Sequence, residues 1–133
     1  MYWMSLDIAD EFTGFVLWED DKPISIGRVI GHTLKATKKL PLRRKTSVSF
    51  RLLSGRAKGK ETVVEVESER DAWNTIRNGR DLSLIIVEAG FMRWPAAAMS
   101  LAEARGRALA LLGVYSNNPP ILLRIAPSSW RKG

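Results

Sequence analysis

The feature that most constrains this chain is a change of hydrophobic period along its length. Up to about residue 67 the apolar residues recur every second position, as on strands; beyond it helical spacings and short apolar runs take turns. In Tyr2-Trp3-Met4-Ser5-Leu6-Asp7-Ile8-Ala9 the residues Tyr2, Met4, Leu6 and Ile8 point one way, and Trp3, Ser5, Asp7 and Ala9 the other. A carboxylate thus shares a face with small and aromatic side chains. Gly14 to Trp18 is a second compact strand, Asp20 to Pro23 a turn, and Ile24 to Ile30 a third alternating run. Short polar turns between them favour an antiparallel meander. Val48, Phe50 and Leu52 alternate with polar residues, as do Val64 and Val66, and the connection Ser54 to Lys60 makes this pair a hairpin. Lys35 to Lys45 has no clean period and contains Pro41, so it reads as loop, with His32 in an ordinary loop position before it.

The second half changes character. Ser68 is a suitable N-cap, Ala72, Trp73 and Ile76 form a narrow stripe, and Gly79 is a stop signal. Leu82 to Val87 is apolar on both faces, the pattern of a strand buried on both sides, and it ends in Glu88. Pro95 suits a first helical position, and Ala97, Leu101, Ala104, Ala108 and Leu111 make a helical stripe that Gly113 closes. Ile121 to Ile125 is the last strand. Strands first, then helix, strand, helix and strand, describe one mixed α/β domain over residues 1–133.

Charge is distributed unevenly. The formal net charge is +7, yet ten basic residues and no acidic one lie between Lys35 and Lys60, leaving 11 basic against 14 acidic elsewhere. A polyanionic partner is the first inference, nucleic acid being the commonest; a solvated loop is the plainer alternative. The absence of Cys excludes disulfides, thiolate metal sites and a cysteine nucleophile, and a single His excludes a multi-histidine zinc site. No apolar run approaches the roughly 18 residues of a membrane span, and no secretory signal opens the chain, so a cytoplasmic protein is expected. Of the five Trp residues, Trp3, Trp18 and Trp73 fit core positions; Trp94 and Trp130 are even between packing and contact. Arg105 and Arg107, on a helix rich in Ala and Leu, could face a second subunit or DNA.

Two acids stand out by position. Asp7 lies in the first strand and Glu88 ends the most apolar one, and functional crevices of open sheets lie outside strand carboxyl ends. Clustered carboxylates need a cation, and magnesium suits hard oxygen donors. On spacing alone, the plainer reading of each acid is a strand-end residue facing solvent.

Four blocks of sequence, in order, resemble the RuvC-type Holliday junction resolvase family of the RNase H-like superfamily. Leu6-Asp7-Ile8-Ala9-Asp10-Glu11-Phe12-Thr13-Gly14-Phe15 is similar to its opening strand, where Thr-Gly follows the Asp by six and seven residues. Ile86-Val87-Glu88-Ala89-Gly90-Phe91 resembles its second signature, the run from Ala97 to Gly106 its next helix, and Ala126 to Lys132 the segment after its fifth strand. The resemblance implies a five-stranded RNase H-like sheet flanked by helices, here with a basic insertion over residues 35–67. It also implies magnesium-dependent nicking of four-way or branched DNA by a homodimer, with two ions in the complete site and manganese as a possible substitute. Asp7 and Glu88 match the metal-binding carboxylates. Phe91 matches a base-contacting aromatic, and Arg131 or Lys132 a basic position near the scissile phosphate; Arg93 joins them as a DNA contact. Lys38, Lys39, Arg43, Arg44, Lys45, Arg56, Lys58 and Lys60 form the expected DNA-holding arm. A divergent bacterial or phage member is implied.

This chain departs from that pattern in three places. Ile8-Ala9 stands where the family has Pro-Gly, the basic window replaces most of a helix, and the family's last helix, with two further acids, is expected beyond residue 133. The alternative function is therefore a catalytically incomplete module that binds branched DNA without cutting it. An actin-like sugar or nucleotide kinase shares the strand Asp and the Thr-Gly, but is disfavoured by size and by the lack of a second phosphate-binding Gly-rich turn.

Overall fold

A computed structural model describes residues 1–9, 12–34, 43–56, 58–88 and 95–125, with the backbone alone described at 32–34, 43–44 and 95–100. Among these described residues, seven strands and two helices follow in the order β1 (Tyr2–Ile8), β2 (Phe12–Glu19), β3 (Lys22–Leu34), β4 (Arg43–Leu52), β5 (Glu61–Val66), α1 (Glu69–Arg77), β6 (Leu82–Glu88), α2 (Pro95–Leu111) and β7 (Ile121–Ile125). They build one sheet in the order β5-β4-β3-β2-β1-β6-β7. The first five strands are an antiparallel meander; β6 and β7 join parallel to β1 and to one another. Parallel neighbours require crossover connections, and α1 and α2 are those connections. The five-stranded sheet that the resemblance implies is thus present as β1–β3, β6 and β7, and the hairpin expected in the basic insertion is β4 and β5, which extend the same sheet.

Both helices pack on one face. Met4, Leu6 and Ile8 of β1, Phe15 and Leu17 of β2, Ile85 and Val87 of β6, Ala72, Trp73 and Ile76 of α1, and Leu101, Ala104, Ala108 and Leu109 of α2 form a single buried cluster. The alternation read from the sequence therefore places the core correctly. Ser68 caps α1 by accepting from the Asp71 amide at 3.1 Å, and Asn78, in the left-handed conformation, ends the helix one residue before the expected Gly79.

The opposite face has a different composition from that expected. Trp3 and Trp18 lie there half-buried, not in the core: their rings stack 4.6 Å apart, the Trp3 indole donates to the Asp20 carbonyl, and the Trp18 indole donates to Ser5 Oγ. Leu84 and Ile86, which register against Trp3 and Ser5, are also only half-buried, so β6 is fully covered on one side alone. Exposed Ile121 and Leu123 of β7 continue this apolar band. His32 is not in a loop, since β3 runs on to Leu34 and pairs His32 with Lys45 in β4. Gly27 explains how the third and fourth strands close up. A Cβ there would stand 2.1 Å from the Ser49 carbonyl oxygen, so only glycine fits.

Candidate active site

Asp7 and Glu88 reach the same place by register. In the parallel pair β1–β6, Leu6 lies opposite Val87, and the two carboxylates are the next residues along their strands. Asp7 is exposed and Glu88 half-buried. Both line an open cavity of about 360 Å³ on the face opposite the described helices, together with Ser5, Gly14, Val16 and Ile26. Leu6, Phe15 and Gly27 also border it; the side chains of Leu6 and Phe15 are turned into the core, so they present main chain.

The residue that makes this cavity is Gly14, which pairs with Asp7 across β1 and β2. It contributes no side chain to the floor. A Cβ at this position would meet Asp7 Cβ and its carbonyl oxygen at 3.8 Å, ordinary contact distance, so the opening reflects the residue type and not a backbone that demands glycine. On the far side of Gly14 the register brings Arg28 of β3, exposed on the same face. The periodicity of the first strand was enough to put Asp7 on this face. Gly14, Ile26 and Arg28 needed the pairing of three strands, which spacing within any one strand does not encode.

The carboxylates suit a hard cation in kind, since acid oxygens are the donors magnesium prefers. In number they fall short, because no group of three or more His, Asp or Glu side chains capable of holding a metal is found among the described residues.

The basic candidates divide. Lys38, Lys39, Phe91, Arg93, Trp94, Trp130, Arg131 and Lys132 lie outside the described residues. Arg43 and Arg44 begin β4, opposite Leu34 and Thr33, so the strand starts within the stretch expected to be loop. Lys45 is paired with Glu65 at 2.6 Å, which makes it partly a strand-to-strand tie. Arg56, Lys58 and Lys60 are exposed in the β4–β5 connection. Arg107 is held to Glu69 of α1 at 3.5 Å within the same chain. Among the described residues no helix is long and apolar enough to cross a membrane.

The sequence matches no protein-family model and none of the curated proteins. Solved structures do match. RuvC of T. thermophilus in complex with a Holliday junction substrate aligns with a TM-score of 0.50 at 13% identity, over 99% of this chain and 70% of that one. A propionate kinase from Francisella tularensis subsp. tularensis aligns with a TM-score of 0.57 at 11% identity, over 92% of this chain and 36% of that one. An acetate kinase from Porphyromonas gingivalis gives 0.55 and 10%, over 92% and 37%. At such identities the likeness is one of architecture. The chain has the RNase H-like α/β fold found in RuvC, a fold whose core the two kinases also resemble.

Proposed function

We propose that this protein is a magnesium-dependent endonuclease acting on four-way or otherwise branched DNA as a homodimer. One observation carries the reading: Asp7 and Glu88, distant in sequence and singled out by motif, line one cavity at neighbouring strand ends. The ordered motif blocks and the fold shared with a RuvC bound to a Holliday junction substrate support it. Asp7 and Glu88 would hold the cation; the remaining donors would have to come from outside the described residues. Magnesium, when bound, neutralises charge developing on a phosphoryl group and lowers the pKa of water. The chain's own part is to hold two carboxylates on rigid strands beside an open, main-chain-floored recess that a DNA strand can enter. Arg56, Lys58 and Lys60 at the tip of the extended sheet would hold more distant phosphates.

The incomplete donor set favours a second reading, a branched-DNA-binding module without nuclease activity. The kinases share the architecture over 36% and 37% of their lengths, and the ordered motif blocks favour the nuclease reading over theirs. One experiment separates nuclease from module. A synthetic four-way junction is incubated with the protein and magnesium, and nicks are mapped on each strand. Asp7→Asn should abolish cleavage while leaving junction affinity within about threefold, because a positioned metal ligand contributes chiefly to the chemical step. Cleavage that survives Asp7→Asn removes the site assignment; binding with no cleavage by the unaltered protein favours the module.

A further inference from the structure

The face opposite the described helices carries a row of residues set by register alone. Glu88 of β6 and Asp7 of β1 stand at one end; then come Gly14 of β2, Arg28 of β3 and Ser49 of β4. We propose that Arg28 binds the DNA phosphodiester at this site, and that Gly14 is the gap through which one phosphate reaches both Arg28 and the carboxylate end. This rests on the nuclease reading and adds to it a substrate-contacting cation that no sequence motif singles out.

Three observations support the assignment. Arg28 is exposed and has no ion pair among the described residues, whereas Lys45 and Arg107 are each tied to a glutamate. Its neighbour on the far side, Ser49, donates its hydroxyl to Glu61 at 2.9 Å, and no hydrogen bond joins Arg28 to it among the described residues. Between Arg28 and Asp7 stands only Gly14, the one member of the row without a side chain.

The dimensions agree. Two strand spacings separate Asp7 from Arg28, about 10 Å between Cα atoms, and a long guanidinium arm spans part of that width. A phosphate between them would meet a cation fixed by the fold on one side and the carboxylate pair, which can carry a metal, on the other. A planar guanidinium fork suits phosphate oxygens better than a point charge does. A hollow of about 260 Å³ adjoins Arg28 and also borders Arg51 and Glu61, so the local balance on that side is two cations to one anion.

Gly14 and Gly27 have opposite tolerances, and this makes the idea testable. A Cβ at Gly27 collides with the next strand, whereas one at Gly14 meets nothing closer than 3.8 Å and lies on the face of the recess. Gly14→Val should therefore fold and fill the gap.

The test measures the dissociation constant of a synthetic four-way junction, without magnesium, across a series of salt concentrations. Wild type, Arg28→Ala, Arg28→Lys, Gly14→Val and the Arg28→Ala/Gly14→Val double variant are compared, with thermal melting as the check on folding. Arg28→Ala should weaken binding about tenfold and make the log-log salt slope shallower by about 0.9, one phosphate contact. Arg28→Lys should keep the slope and recover part of the affinity. Gly14→Val should reproduce the loss of slope with no charge removed, and the double variant should be no worse than either single one, since both remove the same contact. An unchanged slope in Arg28→Ala, or additive losses in the double variant, overturns the proposal while leaving the nuclease reading intact. If Gly14→Val does not fold, the alanine and lysine variants of Arg28 still decide it. Failure of wild type to bind the junction overturns both readings together.

Discussion

Trp73 is fully buried in α1 and meets the ring of Phe15 edge-on, with centroids 6.3 Å apart. It ties the helix layer to the second strand, so its removal opens a large void that the sheet cannot close. Trp73→Ala should cost about 3–5 kcal/mol, read as a fall in the urea midpoint at unchanged slope. A loss below about 1 kcal/mol would mean that the helix does not seat on β2 as described. Trp3 and Trp18 show the limit of reading residues from composition. Their alternation with Met4 and Leu17 was legible, and it placed Trp3 on the face of Ser5 and Asp7. Nothing in that pattern says whether a face is covered, because an indole satisfies a half-open site when its N–H is bonded, as both are here. Asp7 was legible for the same reason that the tryptophans were not: parity fixes the side of a strand, whereas burial depends on what packs there.

At the scale of elements, local signals served the helices better than the inserted strands. Ser68, followed by Glu69 and Asp71 in the first turn, announces α1 through backbone amides that need an acceptor and a helix end that favours negative charge. Ser68→Ala should lower stability by about 1 kcal/mol, measured by thermal unfolding, with junction affinity unaltered because α1 packs on the other face of the sheet from the recess. If affinity falls instead, α1 takes part in binding. The start of β4 at Arg43 was not legible, since Arg43, Arg44 and Lys45 have no apolar alternation. Their strand character comes from pairing with the end of β3, an interaction between segments. The same pairing extends the first strand of the expected hairpin back to Arg43, and the hairpin is tied by Lys45–Glu65 and by the Ser49 bond to Glu61. A stiff arm carries its charges at a fixed place, which a mobile loop does not.

Over the whole molecule, charge and layering divide the surface into unlike regions. Both described helices cover one face of the sheet, so the other is left with an apolar band that ends at Asp7 and Glu88, and the basic turn stands at the far end of the meander. The net charge of +7 therefore does not act as a uniform field. Arg56, Lys58 and Lys60 sit in the turn joining the two strands farthest from β6, so a DNA segment touching both them and the carboxylates must run across the sheet. That path predicts several phosphate contacts in one complex. If the basic window engages about six, junction affinity should fall with a log-log salt slope near −5, at roughly −0.9 per phosphate. Changing Arg56, Lys58 and Lys60 together to alanine should make that slope shallower by about 2 to 3 without lowering the melting temperature, because all three are exposed and no ion pair holds them among the described residues. A wild-type slope between zero and about −1 would show that DNA does not cross the arm, and would confine any binding to the recess and its immediate rim.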